Sequence, residues 1–366
     1  EQGMTKEEIF RFLKEQYCVG DEKAQIAYEI ACREKALLDQ LDCKNGYSLY
    51  AGIPFCPSIC SYCSFSSSPI AEWKDQVDRY LDAMIKELKA TAKLMQGKTL
   101  DTVYIGGGTP TTLEADQLDR LLGTIRENFD LEHVLEFTVE AGRPDSITRE
   151  KLEVIRKYPV TRISVNPQTM QQKTLDLVGR KHTVEDVEQI FHLARELGFD
   201  NINMDLIAGL PGEDAADMQD TLEKIEKLHP NSLTVHALAI KRAAKFGQEG
   251  RTMDPGTEIT QMVEAAAATA ERMGLVPYYL YRQKNIAGNF ENVGYAEQDK
   301  AGVYNILIME EKQAILACGA GASTKRVWNL PDGYHIERCE NVKDIKQYIA
   351  RIDEMIERKK ALFEKD

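Results

Sequence analysis

Short apolar runs alternate along the chain with longer stretches in which apolar positions recur every three or four residues, the pattern of strands alternating with amphipathic helices. Strands are predicted over Ser48–Pro54, Thr102–Ile105, Leu135–Val139, Arg162–Val165, Asn201–Ile207 and Ser232–Leu238. Between them fall predicted helices over Val77–Met95, Ala115–Asn128, Arg149–Lys157, Val184–Leu197 and Ala215–Leu228. Such alternation implies a parallel α/β sheet, barrel-like or doubly wound, with ligands at the carboxyl ends of its strands. Ahead of it, Ile9, Phe10, Phe12 and Leu13, then Ile26, Ile30, Leu37, Leu38 and Leu41, keep near-helical spacing and predict a helical N-terminal segment over 1–46. Beyond 245 the pattern changes to an Ala-rich helix over Thr257–Met273 and strand-like pieces at Pro277–Arg282, Val303–Glu310, Gln313–Cys318 and Lys325–Leu330. A charged helix follows from Val342. The expected division is therefore a segment 1–46, a main domain 47–245 and a mixed α+β C-terminal domain 246–366.

The 366 residues, 43% of them hydrophobic, are enough for one barrel plus an appended domain. No run of about 18 apolar residues occurs, so no membrane span is expected. A balance of 46 basic against 59 acidic residues, net −13, argues against nonspecific nucleic-acid binding and against docking on an acidic membrane. Any polyanionic substrate must then meet a local basic pocket. Eight cysteines without a signal-peptide pattern suggest the reducing cytoplasm. The start Glu1-Gln2-Gly3-Met4 reads as that of a trimmed chain. Five cysteines (18, 32, 43, 318 and 339) are scattered, and most read as inert core thiols. The six histidines show no zinc-like spacing with the cysteines, and His236 reads as a satisfied core residue, with a site-facing position as the alternative.

The chemistry concentrates at predicted strand ends. Directly after the first strand, Ile53-Pro54-Phe55-Cys56 leads into Cys60 and Cys63, a C-x-x-x-C-x-x-C loop too dense for separate core positions. Three thiolates on one tight loop can hold three irons of a 4Fe–4S cluster and leave the fourth open for chemistry. The second strand ends in Gly106-Gly107-Gly108-Thr109-Pro110-Thr111, whose glycines let backbone groups approach a ligand. The third ends at Glu140, the fourth runs into Asn166-Pro167-Gln168, and the fifth carries Asp205. Polar groups at consecutive strand ends are what a polar ligand across the sheet edge requires.

Together these residues resemble the radical S-adenosylmethionine (SAM) superfamily, and within it the oxygen-independent coproporphyrinogen III oxidases and their relatives. The likeness runs from about Tyr47 to Ser323 through I-P-F-C, G-G-G-T-P-T, D-L-I-x-G-L-P and a distal G-A-G-A-S-T stretch at Gly319–Thr324. The stretch from Tyr281 through Asn289, with Asn292-Val293-Gly294-Tyr295, is most similar to the Gram-positive coproporphyrinogen dehydrogenase subgroup. The resemblance implies a partial (β/α)6 TIM-like barrel, with Cys56, Cys60 and Cys63 holding a 4Fe–4S cluster. It implies that Tyr50, Gly107 and Glu140 hold SAM on the open iron. Tyr62, Gly108, Thr109, Gln168, Arg180, Asp205 and Ala239 match positions around a second SAM. Two departures stand out: Phe65 occupies the place of the oxidase's further cysteine, as in related haem chaperones, and Gly52 replaces a histidine before I-P-F-C. The chaperones' H-N-x-x-Y-W signature is absent.

By this likeness, a 5′-deoxyadenosyl radical would remove hydrogen from a propionate β-carbon of coproporphyrinogen III. Loss of CO₂ and one electron then leaves a vinyl group, and two such events give protoporphyrinogen IX. The implied electron donor is a protein such as flavodoxin or ferredoxin. Four substrate carboxylates need cations, for which Arg180, Lys241, Arg242, Lys245, Arg282 and Lys284 are candidates. Two alternatives remain open: a chaperone-like protein that binds haem, and a radical SAM methyltransferase acting on haem.

Overall fold

The computed structural model describes residues 3–65, 67–250, 258–282, 290–330 and 333–364. Two helices, α1 (Lys6–Tyr17) and α2 (Asp21–Leu38), precede β1 (Gly46–Ile53). Thr5 and Glu8 close a capping box on α1, and Arg33 of α2 donates to the carbonyl of Pro277 at 2.6 Å, tying this segment to the sheet. The pair β2 (Phe55–Cys56) and β3 (Ser68–Pro69) brackets the cysteine loop. Then come α3 (Val77–Leu94), β4 (Thr99–Gly107), α4 (Ala115–Asn128), β5 (Glu136–Gly142), α5 (Arg149–Arg156) and β6 (Arg162–Val165). Next are α6 (Gln172–Leu177), α7 (Val184–Glu196), β7 (Ile202–Ala208), α8 (Ala215–Leu228) and β8 (Ser232–Ala237). The rest comprises α9 (Lys245–Gln248), α10 (Ile259–Arg272), β9 (Val276–Tyr281), β10 (Asn292–Ala296), α11 (Val303–Glu310), β11 (Ala314–Cys318), β12 (Ser323–Leu330), β13 (Gly333–Glu340), α12 (Ile345–Ala350) and α13 (Ile352–Phe363).

Among the described residues, one sheet of 11 strands runs β13-β12-β11-β1-β4-β5-β6-β7-β8-β10-β9. The six strands from β1 to β8 in this order are mutually parallel, which makes the expected partial (β/α)6 TIM-like barrel. Alternation along each strand sorts the side chains. Leu49, Ala51, Val103, Ile105, Phe137, Val139 and Ile163 are fully buried in one core with Leu81, Met84 and Leu88 of α3 and Leu121 and Leu122 of α4. The opposite set (Tyr50, Tyr104, Glu140, Ser164, Asn203, Asp205, Thr234 and His236) lines a lumen. Strand register brings Tyr50 beside Tyr104, Glu140 beside Ser164, Ser164 beside Asn203, and Asp205 beside Thr234.

The strands beyond residue 246 join this same sheet at both ends. β11 pairs parallel with β1, from Tyr47 opposite Ala314 to Ala51 opposite Cys318, while β10 pairs antiparallel with β8. The β12–β13 hairpin extends one edge, and its second strand was not among the expected elements. Val303–Glu310, expected as a strand, is helix α11. Its apolar run Val-Tyr-Asn-Ile-Leu-Ile-Met fits either element by pattern. The buried Glu136 carboxylate decides it, accepting the backbone N–H groups of Val303 and Tyr304 at the helix start. Residue 257 of the predicted Ala-rich helix, Lys284 and the Gln283–Asn289 stretch lie outside the described residues. No helix among the described residues is long and apolar enough to cross a membrane.

Candidate active site

The cysteine loop and the glycine turn are zipped together by backbone. Gly108 N donates to Ile53 O, and Thr109 N to Phe55 O, both at 2.7 Å. Gly107 takes φ +113°, and a Cβ at Gly108 would lie 2.6 Å from Phe55 O and 2.9 Å from the Sγ of Cys56, so neither position admits a side chain. Cys56, Cys60 and Cys63 are free thiols that face one cavity of about 950 Å³. Thr109 Oγ1 donates to Cys56 Sγ at 3.6 Å, and the Cys63 N–H donates to Cys60 O at 3.0 Å, closing the loop. Burial pushes the Cys56 and Cys63 thiols up, the bias that bound iron reverses in a thiolate. Among the described residues no three His, Cys, Asp or Glu converge closely enough for a single ion. Three thiols on one wall, with the glycine cradle beside them, fit instead a cluster whose irons are spread over several ångströms.

The three cysteines and the ten residues matched to SAM positions all line this cavity. Tyr50 stacks on Tyr104 and Tyr304 with ring centroids 6.3 Å away in each case. Tyr104 donates its hydroxyl to Glu140. Burial raises the Glu140 carboxyl to about 7, the Tyr104 bond opposing the rise and the Asp205 charge adding to it. Asp205 accepts from Asn203 Nδ2 at 2.7 Å. Gln168 sits beside Asp205 in a left-handed conformation, φ +70°, which its N–H bond to Asp205 O at 2.9 Å helps to hold. Arg180 is buried, donating to Tyr62 Oη at 3.1 Å and to Asn166 O at 2.8 Å, while its Nε has no partner among the described residues. Ala239 follows β8 on the same rim.

Several lining residues escaped the sequence reading. Arg162 is fully buried at the start of β6, donating to Ser232 Oγ at 3.3 Å. It lies at the amino end of its strand, away from the carboxyl ends where ligands of parallel sheets are expected. Tyr304 reaches the lumen because its segment is a helix. Arg143 contacts the cysteine loop from the turn after β5. His236, expected in the core, faces the cavity and lies 3.4 Å from the Tyr281 hydroxyl; burial lowers its pKa. Period-two alternation along β8, with Thr234 inward, was the available signal. Of the described cation candidates other than Arg180, Lys241 lines the cavity, whereas Arg242, Lys245 and Arg282 do not; Lys245 lies 3.8 Å from Glu249.

Residues 50–225 match the profile of the radical SAM superfamily. The oxygen-independent coproporphyrinogen-III oxidase-like protein HemZ of Bacillus subtilis (strain 168) is 43% identical over 378 residues, covering 99% of this chain and 74% of that protein. The heme chaperone HemW of the same organism is 32% identical over 316 residues, covering 84% of this chain and 76% of its own length. Among solved structures, the coproporphyrinogen III oxidase HemN of Escherichia coli superposes with a TM-score of 0.68 at 24% identity, over 88% of this chain and 73% of that one, a likeness of fold. The chain belongs to the radical SAM superfamily, whose cofactors are SAM and a 4Fe–4S cluster. Within it, the chain falls among the oxygen-independent coproporphyrinogen III oxidase-like proteins, in the HemZ-like subgroup.

Proposed function

We propose that this chain is a radical SAM enzyme of tetrapyrrole metabolism that decarboxylates coproporphyrinogen III oxidatively, without oxygen, to protoporphyrinogen IX. One observation carries the reading: the three cysteines, the glycine turn, Glu140 and Asp205 share one cavity. The substrate assignment draws on the 43% identity to a protein named for its likeness to that oxidase. Cys56, Cys60 and Cys63 would hold the cluster. Tyr50, Gly107 and Glu140 would hold one SAM; Tyr62, Gly108, Thr109, Gln168, Arg180, Asp205 and Ala239 would hold a second. Bound together, these groups supply one-electron chemistry able to activate an inert C–H bond. The protein's part is to orient and to exclude water. Glu140, ionised above about pH 7, accepts from an ammonium or hydroxyl group. Asp205 Oδ1 is held by Asn203, and its other oxygen, with no hydrogen-bond partner among the described residues, would accept hydroxyl donors. Lys241 faces the cavity as a partner for a propionate carboxylate.

A haem-binding or haem-transfer role is the second reading, favoured by Phe65, which lies exposed on the cavity wall where the oxidases have a cysteine, and by the 32% identity to a heme chaperone. One anaerobic assay separates the two. The reconstituted protein is given methyl-labelled SAM, reduced flavodoxin or ferredoxin, coproporphyrinogen III and haem. The oxidase reading expects CO₂ and the divinyl product. SAM cleavage without decarboxylation, together with tight haem binding, would leave the chaperone reading; labelled methyl on haem would indicate a methyltransferase.

A further inference from the structure

Arg143 belongs to none of the motifs above, yet its guanidinium packs directly against the cysteine loop. It follows the left-handed Gly142 at the end of β5 and is only 4% exposed. Its Nη1 donates to the Ser58 carbonyl at 2.8 Å and to the Ser58 hydroxyl at 2.9 Å, and approaches Cys60 Sγ at 3.7 Å. Its other edge, Nε and Nη2, pairs with the two oxygens of Asp145 at 2.9 and 2.6 Å. Although burial works against it, the neighbouring His182 and Arg143 hold the Asp145 carboxyl well below the usual carboxylate range. The planar fork is thus used on both sides at once, one edge on a carboxylate and one on the loop between two cysteines, which a lysine's point charge cannot reproduce.

The carboxylate lies on the edge away from the sulfur, so the N–H nearest Cys60 presents its positive end to it. A thiolate ligand that accepts such a contact donates less charge to its iron, which favours the more negative, reduced cluster. We infer that Arg143 is a positioning residue that orients the cysteine loop and raises the cluster's reduction potential; this rests on the reading that Cys56, Cys60 and Cys63 hold a 4Fe–4S cluster.

The test is an anaerobic redox titration of reconstituted protein, without SAM, read by electron paramagnetic resonance of the reduced cluster, for wild type, Arg143→Gln and Arg143→Lys. Arg143→Gln is expected to retain iron but to show about a tenfold lower reduced-to-oxidised ratio at a fixed applied potential, equivalent to about 59 mV for one electron. Arg143→Lys keeps the charge and is expected to recover part of that loss. If Arg143→Gln binds no iron, Arg143→Lys decides: a cluster reduced less readily than wild type supports the inference. An unshifted potential in either variant overturns it, as does loss of the cluster in both, which would make Arg143 a scaffold residue alone. A wild-type chain that builds no reducible cluster removes the functional reading and the inference together, whereas a wild-type cluster with unshifted variants removes only the inference.

Discussion

Glu140 shows how a single position couples burial to function. Its carboxyl sits among Tyr104, Gly106 and Asp205 and titrates at about 7 instead of 4.5. In the folded chain it therefore holds a proton over a range where the unfolded chain has released one. Its contribution to stability falls as pH rises from about 4.5 to about 7 and stays low above that. Ligand binding runs the other way, because an ionised carboxylate is the better acceptor. Calorimetric titration should find SAM bound several-fold more tightly at about pH 8 than at about pH 6. Glu140→Gln should weaken binding at about pH 8 by roughly tenfold or more, the worth of a hydrogen bond to a charged group, and should flatten the profile. Equal pH profiles for the two proteins would remove Glu140 from the SAM site.

At the scale of elements, the C-terminal helices are held to the barrel by a buried polar knot. Glu87 of α3 is fully buried and accepts from Lys359 of α13 at 2.9 Å, Tyr348 of α12 at 2.6 Å, Asn341 at 2.7 Å and the N–H of Gly319 at 2.9 Å. Lys359 also donates to Ala317 O of β11 at 2.8 Å. Every partner is satisfied, so removing one leaves a buried charge without compensation. Lys359→Met should cost about 3–5 kcal/mol in chemical denaturation, and adding Glu87→Gln should recover much of it. Additive losses in the double variant would contradict this coupling. Elements of this kind were partly legible beforehand. The parallel barrel strands follow from alternating pattern, since strands buried on both faces read as short apolar runs. Helix α11 was not, because its pattern is ambiguous and the carboxylate that caps it lies 167 residues away in the chain.

For the whole molecule, the 11-stranded sheet sets the terms. β1 has β11 on one side and β4 on the other, and β8 is covered by β10, so residues beyond 246 complete both flanks of the barrel. Leu316, Cys318 and Met355 share the core that contains Leu49 and Leu88. A chain ending at 245 should therefore fail to melt cooperatively by circular dichroism, while the full chain unfolds in one transition. A well-behaved fragment 1–245 would instead establish an independent barrel domain. By itself the sequence determined the local chemistry and the order of elements: the cysteine spacing, the glycine turn and the strand-end Glu140, Gln168 and Asp205 are set by residues close in the chain. Tertiary structure alone decided which distant residues complete the site, among them Arg143 against Cys60, Arg162 at the lumen floor, Tyr304 from α11 and His236 turned inward. Hydrophobic periodicity records which side of an element is buried, but two polar residues far apart in sequence leave no mark of meeting until the sheet closes around them.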